Sequence, residues 1–69
     1  MKKNYFEIKE KKEEIKTYKI ILCDLLILIN HCIKYRVDYE NLKKIYLDID
    51  NRIDERENLV KKLESEENV

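Results

Sequence analysis

Apolar side chains recur along this chain with a seven-residue period, and this period limits the chain to long, paired helices. In the first half the spacings run seven, three, four, three, four and three, and Lys11 occupies the one gap. The second half repeats the pattern with Arg56 in its gap. No run of strict alternation competes, so the pattern predicts two amphipathic helices that meet along a heptad seam. The predicted seam residues are Ile8, Ile15, Tyr18, Leu22, Leu25, Ile29 and Cys32, then Tyr39, Leu42, Tyr46, Ile49, Ile53, Val60 and Leu63.

A break separates the two halves at residues 35–38. Asp38 is a favoured N-cap residue, and Val37 and Leu42 have the spacing of a hydrophobic staple around it. We therefore predict a single domain over residues 1–69, with one helix at about 4–34, a loop at about 35–38 and a second helix at about 39–66. No glycine marks the end of the first helix, so one continuous bent helix stays open as the alternative.

Opposite charges at the two ends favour an antiparallel hairpin. Residues 1–19 carry seven Lys and four Glu, whereas residues 50–69 carry four basic and seven acidic groups. Folding the chain back on itself places these stretches side by side, so we predict an all-α, coiled-coil-like antiparallel two-helix hairpin. The predicted level pairs join Lys19, Lys16 and Lys9 to Asp54, Glu57 and Glu64 in turn.

The apolar run at residues 20–33 exceeds what one neighbouring helix can cover. A helix with one neighbour needs an apolar arc of a little over about 100°, yet this run is apolar around most of the helix. The surplus side predicts a homodimer that forms a four-helix bundle, or docking onto a larger protein. The predicted interface residues are Ile20, Ile21, Leu22, Leu25, Ile27, Leu28, Ile29, Leu42, Tyr46, Ile49 and Ile53.

Composition excludes several classes of function. Gly and Pro are both absent and the net charge is zero. Without Gly there is no phosphate-cradling loop or dinucleotide fingerprint, and a neutral chain does not suit nucleic acid as its main partner. The apolar run is shorter than the roughly 20 residues that span a membrane, and a charged stretch stands where a signal peptide needs its apolar core. We expect a cytoplasmic protein with no membrane partner. Residues with GC-rich codons, such as Gly and Pro, are absent, so we expect an AT-rich source such as a low-GC bacterium, its phage, a virus or a mobile element.

No residue pattern points to a cofactor, a metal or a catalytic group. Cys23 and Cys32 lie nine residues apart, roughly 13 Å along one helix, so we expect two reduced thiols, with a bridge between chains as the alternative. No good metal ligand lies three or four residues from His31, which fits a polar-stripe histidine. Asp24 interrupts the apolar run. It either belongs to a solvent-exposed polar side of the first helix or is a buried polar group that fixes the register of an oligomer.

The segment 34–53 reads KYRVDYENLKKIYLDIDNRI and resembles the small two-helix aspartyl-phosphate phosphatases of sporulation response regulators. Lys34 and Tyr35 match the end of that family's first helix, and Asp38 falls at its cap. Asp50 falls on the aspartate of its motif, whereas Arg36 stands in place of its turn glycine. The resemblance implies a phosphatase that acts on a phospho-Asp response regulator, with Asp50 as its catalytic residue.

The same segment is similar to the haemolysin-expression modulators, which are helical partners of a nucleoid protein. That similarity implies a role in protein–protein binding. Our leading expectation is a small helical regulatory or inhibitory protein, with the phosphatase and a passive coiled-coil assembly protein as alternatives. The residues shared with the modulators are Tyr35, Leu42, Tyr46, Asp50, Arg52 and Glu55.

Overall fold

The computed structural model describes residues 4–67, which form two long helices joined by a short loop. Helix α1 spans Tyr5–Lys34 and helix α2 spans Glu40–Glu67. Compared with the predicted ranges, α1 begins one residue later, and α2 begins and ends one residue later. Residues 1–3 and 68–69 of the predicted domain lie outside the described residues.

The two helices pack side by side as an antiparallel hairpin. The molecule measures 53 × 14 × 12 Å, so it is about as long as one of its helices and about as wide as two helices side by side. Asn4, before α1, donates a hydrogen bond to Glu66, near the end of α2 (3.3 Å). The prediction of an all-α helical hairpin is confirmed, and the alternative of one continuous bent helix is wrong.

The core of the hairpin is the predicted heptad seam. Every predicted seam position is buried or half-buried, including the two polar residues that fill its gaps. Ile53 is the most deeply buried, with 4% of its surface exposed. Leu25, Ile49, Val60 and Leu63 are also buried. These side chains drive the pairing because each removes apolar surface from water, at about 25 cal/mol per Å².

Helix α1 ends in a Schellman motif without a glycine. The N–H of Val37 donates to the carbonyl of Cys32 (2.8 Å), and the N–H of Arg36 donates to that of Ile33 (3.3 Å). Arg36 adopts φ = 57°, the left-handed conformation that this motif requires after the last helical residue. The reversal of the chain therefore depends on an arginine at a position that glycine usually fills.

Helix α2 begins with the help of a side chain in the loop. The carboxylate of Asp38 accepts a hydrogen bond from the backbone N–H of Glu40 (3.2 Å). The carbonyl of Tyr39 accepts the next bond, from the N–H of Lys43 (2.9 Å). Asp38 thus satisfies one of the N–H groups that a helix start leaves unpaired, as its residue type predicts.

Ion pairs join the open ends of the helices, although not the predicted ones. Lys19 pairs with Glu57 (3.8 Å), and Lys12 pairs with Glu64 (3.5 Å). The predicted partners Lys9, Lys16 and Asp54 form no ion pair in the described part of the chain. They share the level of the opposite charges, but they lie further round their helices from the seam than Lys12 and Lys19 do.

Candidate interaction surface

Four large apolar side chains of α1 remain uncovered by α2. Ile20, Ile21, Ile27 and Leu28, the outer face of α1, expose 57%, 37%, 56% and 50% of their surface. With Leu22 and Leu25 at heptad positions a and d, Ile21 and Leu28 fall at position g, beside the seam. Ile20 and Ile27 fall at position f, on the side of α1 opposite the seam. The predicted surplus side therefore exists within the described hairpin and has no partner there.

Asp24 lies at the centre of the outer face. It follows Ile20 and Ile21 by four and three residues, and it precedes Ile27 and Leu28 by three and four. Residues at these spacings are neighbours on a helix surface. Asp24 is exposed, and no ion pair or hydrogen bond within residues 4–67 involves its carboxylate. A partner on this face must therefore accommodate one carboxylate among apolar contacts.

His31 continues the same side of α1 towards the loop. Its ring is stacked on that of Tyr35, with the planes 2° apart and the centroids separated by 6.3 Å. The ammonium of Lys34 lies 5.5 Å from the centroid of the Tyr35 ring. Together with Ile27 and Asn30, His31 and Lys34 line an open surface groove. The imidazole is thus exposed and lies parallel to the ring of its aromatic neighbour.

The hairpin divides into an apolar half and a charged half. Ten of the twelve exposed large apolar side chains lie in the apical half, residues 20–47, which includes the loop. Four of the five ion pairs of the described residues involve side chains of residues 11–19, towards the open ends, and the fifth joins Asp48 and Arg52 on α2. Most of the exposed apolar side chains therefore lie towards the loop, and most of the ion pairs lie towards the open ends of the helices.

The predicted interface residues separate into two groups. The four residues of the outer face are exposed, whereas the other seven are buried or half-buried, and all of these except Ile29 belong to the core between α1 and α2. The second group comprises Leu22, Leu25, Ile29, Leu42, Tyr46, Ile49 and Ile53.

Four further exposed isoleucine and leucine residues were absent from the predicted interface. Leu26 and Ile33 of α1 expose about half of their surface, as do Ile45 and Leu47 of α2. The signal for the α2 pair was present in the sequence, because both are apolar residues that the seam spacing skips. Exposed apolar residues of the apical half therefore occur on α2 as well as on α1.

A polar cluster interrupts the seam in the charged half. The guanidinium of Arg56 donates to the carboxylate of Glu14 (2.6 Å), and its carbon lies 4.9 Å from the centroid of the Tyr18 ring. Lys11 lies 3.6 Å from the same carboxylate. The bond from Arg56, aided by the charge of Lys11, lowers the pKa of Glu14 below its usual value. The two residues that fill the predicted gaps in the seam therefore meet at one carboxylate.

The other candidate residues remain separate. Asp50 is exposed on α2, and the neighbouring Arg52 pairs with Asp48 (3.0 Å) instead. The phosphatase role of Asp50 stays a prediction. Cys23 is exposed and Cys32 half-buried, and both are free thiols. Within residues 4–67, no three His, Cys, Asp or Glu side chains are grouped as metal ligands.

Comparisons with known proteins identified no relative of this chain. No family model, curated protein or solved structure matches this chain. Neither helix, over the residues described, has the length and apolar character needed to cross a membrane.

Proposed function

We propose that this protein is a small helical regulator or inhibitor that acts by binding a protein surface through the outer face of α1. The observation that carries this proposal is the exposure of four adjacent isoleucine and leucine side chains on a helix whose other side already has a partner. Contiguous exposed apolar surface of this kind marks binding sites in proteins.

The energetics support binding at this face. Burying a fully exposed Ile or Leu side chain contributes about 1.5–3 kcal/mol. Three of the four residues are about half exposed, so each still has on the order of 1 kcal/mol to contribute in a complex. The face needs no rearrangement of the hairpin to become available, because the core lies on the other side of α1.

The contacting residue can be identified with a photo-crosslinking amino acid placed at Ile27 or at Leu47. These positions expose 56% and 52% of their surface, on α1 and α2 respectively. Each full-length variant is expressed in cells that naturally contain the protein and is then irradiated. We expect a discrete crosslinked product from position 27 and little or none from position 47.

The substitution Ile27→Asp tests whether the apolar side chain is needed for binding. The crosslinking amino acid is then placed at Leu28, and Leu47→Asp is the matched control. We expect the product from position 28 to disappear with Ile27→Asp and to persist with Leu47→Asp, while circular dichroism shows unchanged helix content in both. Equal products from positions 27 and 47, or a product that survives Ile27→Asp, would contradict the proposal.

A further inference from the structure

Helix α1 carries a second seam on the side away from α2. Ile21, Asp24, Leu28, His31 and Tyr35 follow one another at spacings of three, four, three and four, which is the repeat that pairs two helices. All five side chains are exposed. The first seam is covered by α2, so the second is free to pair with another helix.

The two polar residues of this second seam are chemically complementary. Asp24 accepts hydrogen bonds through its carboxylate, and His31 donates through an imidazole N–H in either protonation state. They are seven residues apart, roughly 10 Å along one helix, which is too far for a direct bond within the chain. Neither has an ion-pair partner among the described residues.

We propose that the occupant of this surface is a second copy of the chain, with the two α1 helices antiparallel about a two-fold axis near Ile27 and Leu28. Asp24 of each copy then accepts a hydrogen bond from His31 of the other. This inference rests on the proposed function, because it uses the same face, and a chain paired with its own copy there cannot bind another protein through that face at the same time.

Charge complementarity selects this arrangement over the other self-pairings. A parallel pair places Asp24 beside Asp24 and His31 beside His31, and an axis through Asp24 also brings the two carboxylates together. A buried, unpaired carboxylate is strongly unfavourable, whereas one that accepts a hydrogen bond is tolerated. With the axis midway between Asp24 and His31, the Asp24 of each copy faces the His31 of the other, so the dimer contains two such hydrogen bonds. Polar residues within a seam are known to fix its register.

The same axis matches the apolar residues. Ile27 of one copy lies level with Leu28 of the other, and Ile20 lies level with Tyr35 of the other. Only the apical halves overlap, so the ion-paired ends of the two hairpins point in opposite directions. The dimer thus covers apolar surface at the end of the molecule where that surface is concentrated.

Disulfide trapping can determine where the two-fold axis of the dimer lies. The background chain carries Cys23→Ser and Cys32→Ala, and a single cysteine is then placed at Ile27 or Ile20. These residues are one heptad apart and are matched in exposure, at 56% and 57%. We expect Ile27→Cys to form a disulfide-linked dimer under mild oxidation. We expect Ile20→Cys to form none, because the two copies of residue 20 are roughly 20 Å apart along the direction of the helices.

A charge swap tests the pairing of Asp24 with His31. We expect Asp24→Lys and His31→Asp each to weaken the dimer by roughly tenfold or more in Kd, measured by sedimentation equilibrium. The double variant should regain an affinity close to that of the original chain. Both residues lie outside the hairpin core, and circular dichroism checks that each variant stays helical.

The outcomes separate this inference from the proposed function. Crosslinking at both positions indicates a parallel pair, crosslinking at neither excludes the proposed axis, and a double variant without recovery excludes the pairing; each result overturns the inference. A chain that stays monomeric but still gives a crosslinked product from position 27 in cells would also overturn it, while leaving the proposed function standing. Loss of both the dimer and the cellular product would overturn the two together.

Discussion

Arg36 holds the conformation on which the hairpin turn depends. Its φ of 57° is unfavourable for a residue with a Cβ, at about 1–2 kcal/mol, and the two hydrogen bonds of the Schellman motif offset that cost. The turn is therefore formed by backbone bonding and by the packing of the helices on either side, in spite of the residue that occupies it.

Replacing Arg36 with glycine should stabilise the hairpin. Glycine adopts positive φ without a steric penalty, so we expect Arg36→Gly to raise the free energy of unfolding by about 1 kcal/mol. Urea denaturation followed by circular dichroism measures the change. Arg36→Ala is the control, since it removes the charge but keeps the Cβ. If glycine and alanine had equal effects, the left-handed conformation would not be the cause.

Glu14 makes the stability of the hairpin sensitive to acid. Because its pKa is lower in the folded chain, its contribution to stability is complete above the usual glutamate pKa of about 4.3 and is lost as the pH falls through the folded value. We expect the midpoint of thermal unfolding to fall between pH 7 and pH 3, and to fall less in Glu14→Gln. The control Glu13→Gln, on an exposed neighbour, should retain the full pH dependence. An identical slope in Glu14→Gln and the original chain would contradict this assignment.

Helix α1 is apolar on two sides, and adjacent residues on it have different roles. Leu25 is buried against α2 with 8% of its surface exposed, whereas Leu26 exposes 48%. Helix α2 presents one continuous buried stripe and a largely charged remainder. The hairpin therefore covers most of the apolar side chains of α2, whereas it leaves the outer face of α1 exposed.

The pair Leu25→Ala and Leu26→Ala tests this division with one chemical change. Removing a buried leucine loses its transfer free energy and leaves a cavity, so we expect Leu25→Ala to destabilise the hairpin by about 2 kcal/mol or more. Leu26→Ala should cost well under 1 kcal/mol. Denaturant unfolding at low protein concentration measures both. A larger loss from Leu26→Ala would mean that the seam is misassigned.

The whole molecule is a thin rod with a small core. Only five apolar residues of the described chain are buried, and the radius of gyration is 16.0 Å, larger than the roughly 11 Å expected for a compact domain of this length. Small chains commonly gain stability from association. The exposed apolar surface of the apical half is the surface that association would cover.

Association should therefore appear in the thermal stability. If the outer face is covered by a second copy, the midpoint of unfolding rises with protein concentration, because only the folded chain associates. We expect this rise over a hundredfold concentration range for the original chain and not for Ile27→Asp, measured by circular dichroism. A concentration-independent midpoint in the original chain would indicate that the hairpin is stable without self-association.

Local pattern was sufficient for the elements of this protein. The heptad spacing placed both helices and every buried seam residue, and Asp38 marked the start of α2, because these features depend on side chains a few positions apart. The surplus apolar side of α1 was also predictable, since one neighbour covers a limited arc of a helix.

The pairings across the hairpin needed the folded chain. Axial level suggested Lys16 with Glu57, but ion pairs form between side chains that flank the seam, and so Lys19 binds Glu57. Likewise, Arg56 appeared only as a gap in the seam until the packing of α1 brought Glu14 to it. The division of the predicted interface into a buried seam and an exposed outer face came the same way, because burial depends on which side of α1 faces α2.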